Sequence, residues 1–314
     1  MQILDYDRVD PLDVLNLNLL SLDYALTPER VALIRQLDER PFPFFAIYAI
    51  DGGIVAGQAG VYRLPTMTSE GPEDVGGVWA VCTHPAFSRR GIAHRLLEEA
   101  HARMREAGLR FSTLGTARHR GAYRLYQQLG YEDFFVTLTT FSELESVRLA
   151  TRLVAEHATP DRYPLADTFF HEVSAGYLGF ARRSKAFIAM MVAIGDLGAE
   201  QVWLLWDGEE LAGYALATIS ESVLSVNNLL LRESALAAEA VSALCQGQPV
   251  SYVRVGVDQA SVGESLRKAG YPPGLPGWGT FMIKPLIPDV SVEGARRIFG
   301  VGTERFMISP IDVT

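Results

Sequence analysis

The sequence is short of cysteine and of positive charge, and each shortage excludes a class of protein. Its 314 residues contain two cysteines, Cys82 and Cys245, which are too few for a disulfide framework and fit a reducing compartment. Lysine and arginine number 28 against 37 aspartates and glutamates, so the formal net charge is −9. Sequence-independent nucleic-acid binding needs a basic face, and this charge balance argues against it.

Long apolar runs and clustered metal ligands are missing as well. The longest apolar run, residues 187–194, is far too short to span a bilayer, and no signal-peptide pattern opens the chain. We therefore expect a cytoplasmic protein with neither a membrane nor a nucleic acid as partner. No metal site is predicted, because no ligand spacing relates the histidines, which stand at positions 84, 94, 101, 119, 157 and 171.

A strand, a short basic loop and an amphipathic helix follow one another between Val78 and Ala107. The apolar strand ends at His84-Pro85, and the helix after the loop carries Leu96, Leu97, Ala100 and Met104 on one face. Such a unit directs free backbone N–H groups, at the positive end of a helix dipole, towards the loop. The small residues and the arginine pair of the loop suit a phosphate. On this stretch alone, a surface loop with solvated arginines remains an equal alternative.

A second motif lies about thirty residues later and gives the first its meaning. The segment 120–131 predicts a short helix that ends at a glycine, followed by a strand. Together the two segments resemble the acetyl-CoA-binding core of the Gcn5-related N-acetyltransferases (GNAT). Gly91 and Ala93 match that family's loop, and the helix motif is matched by Ala122, Leu125, Tyr126, Gly130 and Tyr131. Two departures are Ser88, where the family has Arg or Gln, and His119, where an Asn is frequent.

The resemblance implies roles for particular residues. Backbone groups of Val81, Cys82 and Thr83 would bind pantetheine and the thioester oxygen, as oxyanion-hole donors. Tyr126 would protonate the departing thiolate, and its alternative is a core aromatic residue. The diphosphate of acetyl-CoA would lie on the loop and the helix start, formed by Arg89, Arg90, Gly91, Ile92, Ala93 and His94.

The general base is not identified by the sequence. His84, Glu73, Asp74 and His119 are candidates, but each has an ordinary surface or capping role as its alternative. Cys82 alternates with its neighbours in a strand, so a small buried hydrophobic side chain is favoured over a nucleophile.

The resemblance also implies an α+β fold of two tandem GNAT-like domains, each a mixed, largely antiparallel sheet flanked by helices. The order of strands and helices in the first half recurs in the second, although chance similarity of that order is an alternative. The second half has Arg232-Glu233-Ser234 in place of the Gly-x-Gly/Ala loop. We predict a GNAT domain with the acetyl-CoA loop at 1–142, a connecting helix at 143–160, a second GNAT-like domain without the loop at 161–285, and a C-terminal tail at 286–314.

Three further expectations concern single segments. Residues 65–74 are predicted as a loop. Phe134 to Phe141 is predicted as the closing strand of the first domain, and Thr280 to Pro285 as the last strand of the second.

The predicted function is transfer of an acetyl group from acetyl-CoA to a primary amine of a small molecule or peptide, by direct attack in a ternary complex. The acidic balance favours a cationic acceptor. A homodimer is possible. The alternatives are a non-catalytic CoA-binding sensor and an interaction scaffold with a GNAT fold.

Overall fold

The computed structural model describes residues 1–277 and 279–312, in a regular succession of strands and helices. The elements of the first part, in chain order, are β1 (Gln2–Asp5), α1 (Pro11–Leu22), α2 (Pro28–Leu37), β2 (Pro41–Asp51), β3 (Ile54–Thr68), β4 (Gly71–Thr83), α3 (Ile92–Glu106), β5 (Phe111–Ala117), α4 (Gly121–Gln128) and β6 (Glu132–Phe135). The elements that follow are β7 (Leu138–Glu143), α5 (Leu144–Val147), β8 (Leu153–His157), α6 (Tyr163–Val173), β9 (Leu178–Gly179), α7 (Phe187–Ala193), β10 (Val202–Asp207), β11 (Glu210–Ser220), β12 (Val223–Leu231), α8 (Ala237–Leu244), β13 (Tyr252–Val257), α9 (Ala260–Lys268), β14 (Leu275–Pro276), β15 (Gly279–Pro285), α10 (Val292–Phe299) and β16 (Phe306–Met307).

Helices α1 and α2 each begin with a capping side chain followed by a proline. The Asp10 carboxylate accepts from the N–H of Leu12 at 2.9 Å and caps α1, which starts with a proline. The Thr27 hydroxyl accepts from the N–H of Arg30 at 3.2 Å and caps α2 in the same way. Local sequence therefore sets both helix starts.

The chain divides into two compact units that do not follow the sequence order strictly. The first unit contains residues 1–135, 278–301 and 311–314, and the second contains residues 136–277 and 302–310. Within these bounds, residues 278, 313 and 314 lie outside the described part of the chain. The grouping differs from the predicted boundaries. Residues 136–142 belong to the second unit, and residues 279–301 belong to the first.

The sheet of the first unit has the strand order β1-β2-β3-β4-β5-β15-β6. Its neighbours are antiparallel apart from β4 and β5, which are parallel and are joined through α3. Helix α3 buries Leu96, Leu97, Ala100 and Met104 completely against one face of this sheet. Each of these larger side chains contributes about 1.5–3 kcal/mol by leaving water. The helix lies so close that a Cβ at Gly76 would come within 2.6 Å of the Met104 sulfur.

The sheet of the second unit has the order β14-β7-β13-β12-β11-β10-β8. Its parallel pair is β12 and β13, joined through α8, and its other pairs are antiparallel. The core lies between this sheet and α8, whose alanines, Val241 and Leu244 are buried. The predicted fold class is confirmed, since each unit is a mixed sheet flanked by helices.

Each sheet includes one strand that is far in sequence from the two strands beside it. Strand β15 lies between β5 and β6 in the first sheet, and β7 lies between β13 and β14 in the second. The prediction that Phe134 to Phe141 forms one closing strand is therefore wrong, because the chain leaves the first sheet after Phe135. Thr280 to Pro285 does form a strand, but it belongs to the first unit. Local periodicity identifies a strand and does not identify the sheet that it joins.

Two other segments differ from the sequence prediction. Residues 65–74 are not a loop: β3 and β4 continue through them as a long hairpin, in which the side chains of Thr66 and Thr68 are buried. The helix predicted over 143–160 is confined to Leu144–Val147, and a strand, β8, follows it. Threonine favours strands, which outweighs the flanking prolines in the first case.

Candidate functional site

In the first unit, β4 leaves β5 part of the way along its length. The two strands pair only at Gly76 with Ser112 and at Gly77 with Thr113. Beyond these pairs, β5 continues with β15 on its other edge. The final residues of β4, Val78 to Thr83, therefore face a gap on the β5 side.

A bulge interrupts β4 within this gap. Opposite β3, Gly60 pairs with Trp79 and Gln58 pairs with Cys82, so β4 carries one residue more than its partner. Ala80 adopts a left-handed conformation with φ of 46°. Val81 consequently has no register partner on β3 or on β5, at the point where β4 faces the gap.

The loop after β4 leads into α3 through two left-handed residues. The His84 N–H donates to the carbonyl of Ala56 at 2.9 Å, and its ring Nδ1 accepts from the N–H of Ala86 at 3.2 Å. Arg89 has φ of 62° and Gly91, the N-cap of α3, has φ of 74°. The first-turn N–H groups of α3 have no acceptor within the helix, so they form an anion-binding end.

The charged side chains of this loop differ in whether they face an acidic partner. Arg89 is exposed. Arg90 lies 3.7 Å from the Asp51 carboxylate and its guanidinium lies over the Phe87 ring. His94 Nδ1 lies 3.2 Å from the Glu98 carboxylate. Backbone N–H groups are therefore better placed to bind an anion here than Arg90 and His94, which already lie beside carboxylates.

Among the predicted loop residues, two contribute mainly through backbone. The Ile92 side chain is buried in the core and Ala93 is half-buried. The thiol of Cys82 is buried, and burial raises its pKa to about 12. A thiol with so high a pKa is not a nucleophile at neutral pH, as the sequence predicts.

Tyr126 lies on α4 with only 6% of its surface exposed. Burial raises its pKa to about 12, opposed by the nearby charge of Arg120. Its ring packs edge-on against Tyr131, with 5.9 Å between centroids. The hydroxyl is therefore protonated at neutral pH and can act as a proton donor.

A buried chain of hydrogen bonds lies behind the point where β4 and β5 separate. Lys284 Nζ lies 3.4 Å from His101 Nδ1, and His101 Nε2 lies 2.8 Å from the Tyr131 hydroxyl. That hydroxyl lies 2.6 Å from Ser112 Oγ, which donates to the carbonyl of Gly76 at 3.3 Å. Burial and the Lys284 charge lower the pKa of His101 to about 3, so the ring is neutral.

The sequence analysis did not predict this series of hydrogen bonds. Lys284 lies on β15, and its approach to His101 depends on the strand that comes from the far side of the sequence. The one available signal was Tyr131, which is part of the second motif.

The acidic candidates for a general base are engaged elsewhere. Glu73 forms a two-point ion pair with Arg110, with oxygen–nitrogen distances of 2.7 and 2.6 Å. Asp74 lies 4.0 Å from Arg63. His84 caps the turn that follows it, and His119 also has an interaction partner. The base remains unassigned.

Two features are absent from residues 1–277 and 279–312. No group of three or more His, Cys, Asp or Glu side chains among them could hold a metal ion. No helix in the same residues is both long and apolar enough to cross a membrane.

Comparison with known proteins agrees with this geometry. Residues 12–131 match the family model described as acetyltransferase (GNAT) family. A search of curated proteins gave no match. The match spans the gap, the loop and α4, and the predicted family resemblance is confirmed.

Solved structures share the fold over most of the chain at low sequence identity. A probable N-acyltransferase of unknown function from Enterococcus faecalis V583 is similar with a TM-score of 0.70 and 12% identity, over 91% of this chain and 72% of that one. Eis1 from Mycobacterium abscessus is similar with a TM-score of 0.62 and 13% identity, over 91% and 74%. A tandem GNAT protein from the clavulanic acid biosynthesis pathway is similar with a TM-score of 0.55 and 15% identity, over 91% and 99%. The tandem GNAT architecture is thereby confirmed.

Proposed function

We propose that the first unit transfers an acetyl group from acetyl-CoA to a primary amine of a small molecule or peptide. One observation carries the proposal: the bulge of β4 at Ala80 and Val81 faces the gap, in a strand that ends at the anion-binding start of α3. A gap between strands suits the extended pantetheine, and the loop suits the diphosphate. The family match over residues 12–131 supports acyl transfer in general.

The residues of the gap divide the chemistry between them. The N–H groups of residues 89–94 and the exposed Arg89 bind the diphosphate. Backbone groups of Val81, Cys82 and Thr83 hold the pantetheine, and the Val81 N–H donates to the thioester oxygen as charge develops there.

Tyr126 completes the proton balance. The amine nitrogen bonds to the carbonyl carbon and the carbon–sulfur bond breaks, so the thiolate takes a proton from the Tyr126 hydroxyl. An acceptor that binds as an ammonium ion first loses one proton to solvent. After the attack, the nitrogen gives up another proton, which returns to the tyrosine through solvent. The products are an amide and a free thiol.

The acceptor is proposed only by class. The net charge of −9 favours a cationic amine. We also propose, from the sequence, a cytoplasmic location. The sequence further allows a homodimer, which light scattering at several protein concentrations tests.

A CoA-binding sensor is the second candidate. Ser88 in place of Arg or Gln, the Arg90–Asp51 contact and the unassigned base favour it. An interaction scaffold would bind no acetyl-CoA.

Calorimetry with acetyl-CoA and a thiol-release assay over a panel of amines separate these functions. An enzyme binds acetyl-CoA and releases thiol faster with at least one amine than without. Binding with no amine-dependent release supports the sensor, and absence of binding contradicts both.

A further inference from the structure

Two fully buried amide side chains lie against the bulge of β4. Asn18 on α1 and Gln58 on β3 are both 0% exposed. Asn18 Nδ2 donates to Gln58 Oε1 at 2.8 Å and to the carbonyl of Val14 at 2.9 Å. Gln58 Nε2 donates to Asn18 Oδ1 and to the carbonyl of Ala80, each at 3.3 Å. The pair thus links helix α1 to the bulge.

The orientation of both amides is fixed by the groups at the two ends. The Val14 and Ala80 carbonyls can only accept, so each must face an NH₂ group. With Asn18 Nδ2 facing Val14, its second hydrogen faces Gln58 Oε1, which turns Gln58 Nε2 towards Ala80. A flip of either amide would bring two oxygens together inside the core.

The hydrogen bond to Ala80 determines where the next N–H points. The Ala80 carbonyl and the Val81 N–H belong to one planar trans peptide and point in opposite directions. A carbonyl held towards the Gln58 amide therefore directs the Val81 N–H away from that amide. The left-handed conformation of Ala80 costs about 1–2 kcal/mol, so this peptide needs such support.

We propose that Gln58, fixed by Asn18, is a positioning residue that aims the Val81 N–H at the thioester oxygen. The inference rests on the proposed acetyl transfer. Gln58 acts through the peptide of Ala80 and Val81 and does not touch the reacting atoms.

A matched hydrogen bond elsewhere on β4 provides the control. Thr66, also 0% exposed and on β3, donates its hydroxyl to the carbonyl of Glu73 at 2.6 Å. Like Gln58, it ties a buried side chain to a β4 carbonyl. Glu73 lies near the start of the strand, before β4 separates from β5.

The experiment compares Gln58→Met and Thr66→Val in the full-length protein. We expect Gln58→Met to lower kcat about 10- to 100-fold, somewhat less than the loss of an oxyanion donor. Its affinity for CoA, measured by calorimetry, should stay within about threefold of wild type, because the loop is intact. Thr66→Val should change neither. If Gln58→Met does not fold, Asn18→Leu carries the same test, since it removes the partner that fixes Gln58.

A spectroscopic readout separates positioning from general weakening of the core. In wild type, the Val81 amide resonance should shift more with acetyl-CoA than with CoA, and Gln58→Met should remove that difference. Equal losses of kcat in Gln58→Met and Thr66→Val would overturn the inference alone. A wild-type protein that binds no acetyl-CoA would overturn the proposed function, and the inference with it.

Discussion

The sheets of the two units are built alike, and the units differ at the loop that follows the bulge. In the first, β4 has an extra residue near Ala80 and pairs with β5 only at its start. In the second, β12 has an extra residue at Asn227 and pairs with β13 only through Val226. The bulge and the diverging strands therefore belong to the fold and do not by themselves make a cofactor site.

The loop of the second unit is closed by its own side chains. Arg232 pairs with Glu172 at 2.9 Å and lies 3.7 Å from Glu210. Ser265 on α9 donates to the carbonyl of Ala235 at 2.9 Å. The first unit instead has Gly91 in a left-handed conformation before an open helix start. We infer that a phosphate cradle can be gained or lost while the sheet stays unchanged.

The largest expected effect tests whether the first unit alone is catalytic. Tyr126→Phe should lower kcat at least about 100-fold, the lower end for general acid catalysis, without changing acetyl-CoA binding. Because the pKa of Tyr126 is about 12, its ionisation should not reduce wild-type activity below pH 10. Tyr271→Phe, at a buried tyrosine of the second unit, is the control and should keep full activity, as thiol release will measure. Equal rates in both variants would contradict the acid role.

The next effect concerns acetyl-CoA affinity. Gly91→Val forces a β-branched residue to φ of 74°, which costs up to about 3 kcal/mol or moves the loop, so affinity should fall about 100-fold. Gly108→Val is the control, because Gly108 has φ of 79° after the other end of α3 and equally open space around it. Calorimetry that finds half of the sites still filled in Gly91→Val would mean that the second unit binds acetyl-CoA too.

A smaller effect is the pH dependence of stability in the first unit. The pKa of His101 falls from 6.5 to about 3 on folding, so below pH 6.5 the unfolded chain takes up a proton that the folded chain does not. This stability is complete above pH 6.5 and is lost as the pH falls towards 3, by about 2 kcal/mol at pH 5. Hydrogen exchange of β5 amides at pH 7 and 5 measures it.

Two variants show whether His101 causes that slope. His101→Leu should have a shallower dependence on pH, although it is less stable at pH 7. His171→Leu, at an exposed position on α6, should leave the slope unchanged. An unchanged slope in His101→Leu would assign the effect to other groups.

The smallest effect tests the closure of the second loop. Ser265→Ala removes one partly solvated hydrogen bond and should cost about 0.5–1 kcal/mol of stability by thermal unfolding. It should create no acetyl-CoA binding, since the glycine loop is still missing. New binding in this variant would mean that closure alone silences the second unit.

Much of the site could be predicted because its signals are local. The helix caps Asp10 and Thr27, the glycine loop and the helix of Tyr126 all act within a few residues of themselves. The roles of the loop residues and of Tyr126 stay predictions.

What could not be predicted depends on contacts between distant segments. Hydrophobic periodicity does not show that β15 joins the first sheet and β7 the second, because the pattern is the same in either sheet. The Lys284–His101 contact follows from that exchange. The Asn18–Gln58 pair joins residues 40 apart, and a buried glutamine in a strand has no sequence pattern of its own.

The position of β15 has a consequence for how the protein is made. A ribosome that has released residues 1–142 has delivered the loop and Tyr126 but not the strand that separates β5 from β6. Until residue 285 emerges, the nascent sheet keeps an unprotected edge and lacks Lys284. An amino-terminal fragment cut at 142 would therefore be a poor substitute for the full chain in screening or crystallisation.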